Sequence, residues 1–137
     1  MNPFPQMLTD LRTHQTICRE MLTIAERESQ ALRQPQPAAL EELYQMKRVL
    51  QPRLSESLQA VRGHRLYWQN LTAAERSTQP EIQFLVRQVQ DLVLRVILLD
   101  RENEQAFLRR GLIPPREITS APARPHFVAE LYRRQVS

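Results

Sequence analysis

The chain has 137 residues, 42% of them hydrophobic and 25% charged, and carries a net charge of +4. This length and composition predict one folded domain that can bury a core without disulfides or metal, and they exclude an intrinsically disordered chain. Only two glycines occur, Gly63 and Gly111. Sheet proteins need many turns with positive φ, so the scarcity of glycine favours a few long helices.

The basic charge is spread along the chain and forms no stripe. Residues 1–36 carry four arginines against four acidic residues, and residues 80–111 carry five against five. Such mixed charges indicate solvated helix faces, so we expect no nucleic-acid partner. The lone Cys18 lies in an apolar stripe and predicts a reducing, cytoplasmic compartment. No apolar run approaches the ~20 residues of a membrane span, and no secretory signal is apparent.

The first helix is predicted from Pro5 to about Gln34. Its apolar stripe is Leu8, Leu11, Cys18, Met21, Ala25 and Leu32. His14 and Glu28 interrupt this stripe, which predicts that the first helix packs less tightly than the third long helix. Pro35 disfavours helical geometry in the residue before it, and the short corner that follows requires an antiparallel second helix.

The second helix is predicted from Pro37 to about Asn70. Its apolar side consists of Leu40, Leu43, Leu50, Leu54, Leu58 and Val61. Pro52 lacks an amide hydrogen, so we expect a kink centred one turn upstream of it. A full break is disfavoured because the leucines on either side stay in phase. Gly63 weakens the helix locally.

The third long helix is predicted from Pro80 to Arg110 and has the strongest pattern in the chain. Counting in sevens places Ile82, Val89, Val96 and Asn103 at one seam position, and Leu85, Leu92, Leu99 and Ala106 at the other. Thr72 and Glu75 ahead of it fit a capping box, and Gly111 followed by Pro114 ends it. At ~1.5 Å per residue the helix is about 45 Å long.

Two features of the third helix indicate an interaction surface. Asn103 is the polar exception on the seam, and it either selects register and partner or marks the solvated end of the helix. Residues 92–99 are apolar nearly all round, although a three-helix bundle needs only one apolar stripe. The surplus side chains are Val93, Leu94, Ile97 and Leu98. The neighbouring helices, a second copy of the chain, the tail or a client helix must cover them.

Residues 112–137 contain several prolines up to Pro125 and predict an extended tail. The segment after Pro125 would form two helical turns with Phe127, Val128, Leu131 and Tyr132 on one face. Because so short a helix is marginal in water, we expect it to dock on the bundle or to fold on a partner. We therefore divide the chain into a helical bundle over 1–111 and a tail over 112–137.

No arrangement of residues predicts catalysis. The three histidines, His14, His64 and His126, lie on three different elements, which disfavours a metal site. The chain has no glycine-rich phosphate loop and no nucleophile motif, and its glycines are too few to build a backbone nest for phosphate. We expect no enzymatic activity, no cofactor and no bound metal.

Two stretches of the sequence resemble the FlgN-type flagellar export chaperones, a superfamily that includes the FliT group. The first, RESQALRQPQPAALEELYQMKRVLQPRL, is similar to the family's Glu-rich helix, short corner and Leu-Glu-Glu-Leu followed by a basic residue. The second, LLDRENEQAFLRRGL, is similar to the family's Asn-containing stretch before its final segment. The resemblance covers residues 8–111. It implies a cytoplasmic helical chaperone that holds hook-associated proteins before export and docks with the export apparatus.

The resemblance also implies which positions bind the client, because the family's C-terminal part is credited with that contact. On this sequence those positions are Val93, Ile97, Phe107 and Leu108 in the third helix and Phe127, Leu131 and Tyr132 in the tail. Asn103 would specify the register of the contact. The family's C-terminal part is often a continuous amphipathic segment, whereas prolines interrupt it here.

The sequence therefore predicts an all-α, antiparallel three-helix bundle with an elongated third helix that binds an apolar helical segment of a protein client. The alternative is a structural coiled-coil or adaptor protein that self-associates through the third helix, for instance as a homodimer, and has no export client. A basic helical protein associated with nucleic acid ranks third. No membrane partner is expected.

Overall fold

A computed structural model of the protein describes residues 2–112. This part of the chain consists of helices joined by short turns and contains no strand, which confirms the all-α prediction. The helices are α1 (Phe4–Leu32), α2 (Leu40–Arg62), α3 (Arg65–Asn70), α4 (Ala73–Ser77) and α5 (Pro80–Arg109). Within this range no helix has the length and hydrophobicity to cross a membrane. The predicted tail lies outside the described residues, apart from Leu112.

Helix α1 is the central element of the bundle, because it packs along both α2 and α5. The corner between α1 and α2 is short, so α2 returns antiparallel to α1. Contacts at two levels establish this direction: His14 of α1 meets Ser57 of α2, and fourteen residues later Glu28 meets Lys47. Later residues of α1 therefore contact earlier residues of α2.

Helix α5 runs parallel to α1 and antiparallel to α2, as in the antiparallel three-helix bundle that the sequence predicts. Near the start of both helices, the guanidinium of Arg12 contacts the carboxylate of Glu81. Just beyond their ends, Arg110 donates a hydrogen bond of 2.7 Å to the carbonyl oxygen of Leu32. The two long helices are thus aligned over their full length.

Helix α2 runs without interruption through Pro52. The prediction that this proline would not break the helix in two is confirmed. The missing amide costs one backbone hydrogen bond, but Leu50 and Leu54 stay in phase and are both buried. Their burial in the core offsets the lost hydrogen bond.

The ends of α2 differ from the prediction. The helix begins at Leu40 rather than at Pro37, because residues 36–39 offer no Ser, Thr, Asp or Asn side chain to cap its first amides. It ends at Arg62 rather than near Asn70. The amide of the residue after Gly63 bonds to the carbonyl three residues earlier, and the chain turns before α3 begins. The predicted single helix is therefore two helices.

The predicted helix-end signals around α5 are present. Thr72 and Glu75 form the complete capping box at the start of α4, each side chain bonding to the other residue's backbone amide. At the far end of α5, Gly111 has a φ of 66°. The amide of Leu112 donates a 2.9 Å hydrogen bond to the carbonyl oxygen of Phe107, which is the Schellman arrangement. Helix α5 thus ends where the glycine predicted.

The buried side of α5 departs from the predicted heptad in its last third. Up to Val96 the predicted seam positions are buried. Beyond it, Asp100 and Phe107 are buried in place of Leu99 and Ala106, which are only partly buried. An α-helix turns once every ~3.6 residues, so a strict seven-residue repeat gradually rotates off the core. The heptad prediction was wrong at Leu99 and Ala106, because the residue that follows each of them is buried instead.

The core is divided along the bundle into three apolar clusters. The first contains Met7, Leu11, Ile82 and Leu85. The second contains Ile17, Cys18, Met21, Leu22, Ile24, Leu43, Leu50, Leu54, Leu92 and Val96. The third contains Leu32, Leu40 and Phe107. Along α1, His14 falls between the first and second clusters and Glu28 between the second and third, so polar layers separate the apolar ones.

Candidate partner-binding surface

The surplus apolar side of α5 is only partly covered by the bundle. Val93 and Ile97 are partly buried and pack against the second cluster. Leu94 and Leu98 are 56% and 49% exposed. Each pair is four residues apart, and the two pairs are neighbours around the helix, so all four side chains form one continuous patch. We refer to these four residues as the α5 apolar surface.

The two predicted binding residues near the end of α5 lie in opposite environments. Leu108 is 66% exposed, whereas Phe107 is 2% exposed and packs with Leu32 and Leu40 in the third cluster. A partner can reach Leu108 directly but can reach Phe107 only if this end of the bundle opens. Phe107 is therefore a core residue in this structure, and its contact with a client stays a prediction.

Asn103 is also buried, with 3% of its surface exposed, so it does not mark a solvated helix end. Its side-chain amide donates a 2.9 Å hydrogen bond to the carbonyl oxygen of Ala25 in α1. The partner is a backbone atom of the same chain. Asn103 thus sets the register of α5 against α1, and no group of an external partner is required to satisfy this hydrogen bond.

The predicted tail positions Phe127, Leu131 and Tyr132 lie outside the described residues. Their role stays a prediction. The part of the predicted site that the structure describes is therefore the α5 apolar surface together with Leu108.

The largest feature that sequence reasoning missed is a buried ion cluster that joins the three long helices. The ammonium of Lys47 in α2 contacts the carboxylate of Glu28 in α1 and lies 3.3 Å from Oδ1 of Asp100 in α5. The three side chains are between 4% and 8% exposed. Two carboxylates thus face one ammonium inside the bundle, where an unpaired charge would be costly.

A signal for this cluster was present in the sequence. Lys47 is the only lysine among 19 basic residues, and it lies on the apolar side of α2 between Leu43 and Leu50. A lysine is almost never fully buried unless it is paired, so a lysine on an apolar stripe indicates a buried acidic partner. Glu28 likewise interrupts the apolar stripe of α1, so the sequence indicates that these two charges meet. The heptad places Leu99 rather than Asp100 on the seam of α5, so it gives no signal for the third member of the cluster.

A second polar contact lies nearer the start of α1. His14 is fully buried, and its Nδ1 lies 3.0 Å from the hydroxyl of Ser57 in α2. Burial lowers the pKa of His14 from 6.5 to about 4, because the charged imidazolium would lose its hydration. The imidazole is therefore neutral at physiological pH. Asp10, one turn before His14, instead contacts His64, with 2.7 Å between Oδ2 and Nε2.

Over residues 2–112 no group of three or more His, Cys, Asp or Glu side chains is arranged to hold a metal ion. Comparisons of the chain with protein-family models, with curated proteins and with solved structures each found no match. The α5 apolar surface is a half-exposed aliphatic patch on a long helix whose opposite side packs in the core.

Proposed function

We propose that the protein is a helix-binding chaperone that holds an apolar helical segment of a flagellar, hook-associated client until the client is exported. The observation that carries this proposal is the exposure of Leu94 and Leu98 on α5. They stand beside Val93 and Ile97, which the core already holds in position. The bundle thus supplies a rigid support, and the exposed leucines supply the contact.

The mode of binding follows from the shape of this surface. Apolar residues at four-residue spacing on an exposed helix match the apolar stripe of another helix, as in coiled-coil and helix-in-groove recognition. The exposed side chains of Asp91, Arg95 and Arg101 flank the patch and add charges of both signs. These charges would favour one orientation of the client over the reverse.

Two half-exposed leucines supply only part of the free energy of binding, because association also costs translational and rotational freedom. Completing the burial of two half-exposed leucines contributes about 2 kcal/mol, or roughly 30-fold in affinity. The partly buried Val93 and Ile97 and the exposed Leu108 add to this contact. The contribution of each exposed side chain is modest, which suits a chaperone that must release its client to the export apparatus.

The test is to titrate the full-length protein with a synthetic peptide of the terminal helix of a hook-associated protein, using calorimetry and light scattering. We expect a one-to-one complex whose affinity falls at least ~30-fold in the double variant Leu94→Asp, Leu98→Asp. The matched control is Leu66→Asp, because Leu66 is 70% exposed on α3, outside the α5 apolar surface. Absence of binding, or equal binding by the double variant, would refute the proposal.

The same exposed leucines are compatible with the alternative, a self-associating structural protein. Light scattering separates the two functions. A dimer that dissociates in the Leu94→Asp, Leu98→Asp variant, with no affinity for the client peptide, would favour self-association. A monomer that binds the peptide supports the chaperone.

A further inference from the structure

A groove lies between α1 and α2, lined by residues outside the α5 apolar surface. Its volume is about 560 Å³. The floor contains Ile24 of α1 and Leu50 of α2, both buried, and the α2 wall adds Met46 and Val49, which are 36% and 66% exposed. The groove therefore offers apolar contact area that the chain's own three-helix packing does not use.

The rim of the groove is basic. Arg19 and Arg27 of α1 and Arg53 of α2 line it, together with a single acidic residue, Glu20. The carboxylate of Glu20 lies 3.8 Å from the guanidinium of Arg53. Within residues 2–112, Arg19 and Arg27 have no ion-pair partner. The charge left uncompensated at the rim is thus positive and lies on the α1 side.

The dimensions of the groove match a helix. On α1 its lining extends from Thr16 to Arg27, which at ~1.5 Å per residue is about 16 Å, or three turns. Both walls are helices whose backbone amides are already bonded, so an extended peptide would find no strand edge to pair with. An incoming helix satisfies its own backbone and presents only side chains.

We propose that this groove docks an amphipathic helix of a partner protein, with its apolar stripe on Met46 and Val49 and two carboxylates facing Arg19 and Arg27. The two arginines are eight residues apart on α1, so the matching acidic residues are seven or eight apart on the docked helix. The acidic flank lies on the α1 side, because Glu20 already compensates Arg53. This docking site is separate from the one in the proposed function and does not depend on it.

Other anionic partners fit the groove less well. None of the residues that line it is aromatic, so nucleotide bases have nothing to stack on. An exposed valine on the wall and a buried leucine at the floor suit an aliphatic side chain, which an amphipathic helix supplies.

The experiment uses the full-length protein and two designed 14-residue helical peptides with the same leucine stripe. One peptide carries glutamates seven residues apart on one flank, and the other carries lysines at the same positions. We expect the glutamate peptide to bind roughly tenfold more tightly at low salt, with the difference shrinking as salt is added. Methyl signals of Met46 and Val49 should shift on binding.

Matched variants locate the contact. The charge reversal Arg19→Glu, Arg27→Glu should invert the preference between the two peptides, and Val49→Asp should weaken the binding of both. Arg48→Glu, on an exposed position of α2 outside the groove lining, should leave the affinities unchanged. The double variant Leu94→Asp, Leu98→Asp should also leave them unchanged, which separates this site from the α5 apolar surface.

Several results would overturn the proposal. The proposal fails if the two peptides bind with equal affinity, if neither binds at millimolar concentration, or if the methyl signals of the protein shift only in α5. A dimer that Val49→Asp dissociates would instead assign the groove to a second copy of the chain. If a synthetic peptide of residues 125–137 displaces the designed peptide, the groove instead binds the chain's own terminal segment. Retention on anionic lipid vesicles without peptide binding would assign it to a membrane surface.

Discussion

The ammonium of Lys47 lies 3.3 Å from Oδ1 of Asp100, in a part of the core where both side chains are less than a tenth exposed. This contact connects α2 to α5, whereas the extensive helix packing in the bundle is made by α1. Glu28 of α1 completes the cluster. The three charges meet only in one vertical alignment of the three helices, so they specify the register of the bundle.

Replacing Lys47 with methionine should destabilise the fold strongly. The substitution keeps the side-chain length but removes the cation, which leaves the carboxylates of Glu28 and Asp100 buried without it. Breaking a buried ion pair from one side typically costs about 3–5 kcal/mol. Urea unfolding at neutral pH measures this cost. The neighbouring Arg48→Met, at an exposed position, should change the unfolding free energy by less than about 0.5 kcal/mol.

Replacing the whole cluster should have a different effect from removing the lysine. The triple variant Glu28→Leu, Lys47→Met, Asp100→Leu removes all three charges together, so no charge is left buried. We expect its unfolding free energy to equal that of the native chain or to exceed it by about 1–4 kcal/mol. If the triple variant is as unstable as Lys47→Met, the native ion cluster stabilises the fold more than the apolar side chains that replace it.

The stability of the bundle should fall in mild acid because of His14. Its folded-state pKa is about 4, below its ordinary value of 6.5, so the unfolded chain binds the proton more readily. The effect is absent above pH 6.5 and grows as the pH falls from 6.5 to about 4. It reaches about 3 kcal/mol at the low end.

Chemical denaturation of the native chain and of His14→Gln at a series of pH values checks this contribution. Glutamine does not titrate and can still bond to Ser57, so the variant should lose less stability between pH 7 and pH 4.5. The carboxylates titrate in both chains, and the comparison cancels their contribution. Parallel stability curves for the two chains would contradict the assigned role of His14.

Truncation to alanine should lower the unfolding free energy strongly at Phe107 but hardly at all at its neighbour Leu108. Phe107 is 2% exposed within the third cluster, so Phe107→Ala leaves a cavity and should cost about 3–5 kcal/mol. Leu108 is 66% exposed, and Leu108→Ala should change the unfolding free energy by less than about 0.5 kcal/mol. Thermal or urea unfolding measures both. A stable Phe107→Ala variant would mean that its side chain is held for a partner rather than for the core.

Asn103→Asp should destabilise the contact between α1 and α5. The substitution turns the amide that donates to the carbonyl oxygen of Ala25 into a carboxylate that faces this oxygen in a buried site. We expect a cost of about 2 kcal/mol or more at neutral pH. Gln105→Glu, two residues away and exposed, is the matched control and should be nearly neutral. Equal stability of the two variants would argue against the buried hydrogen bond.

Much of the secondary structure follows from local chemistry and was predicted correctly. The capping box at Thr72, the glycine that ends α5 and the persistence of α2 through Pro52 each depend on residues within one or two turns. Local propensity was misleading at Gly63, where the expected single helix divides. There, α2 ends at Arg62, and the amide of His64 bonds to the carbonyl oxygen of Val61 in a turn before α3 begins.

The pattern of the amino acids determined that three long helices form, which sides of α1 and α2 are apolar and where α1 and α5 end, because these properties depend on neighbours along the chain. Only the packing of the helices decided that Lys47 meets Glu28 and Asp100, that Asn103 bonds to α1, and that Phe107 is buried while Leu94 and Leu98 stay exposed. These outcomes depend on the rotation and vertical alignment of each helix against the others. A shift of one residue, as from Leu99 to Asp100, changes which side chain is fully buried.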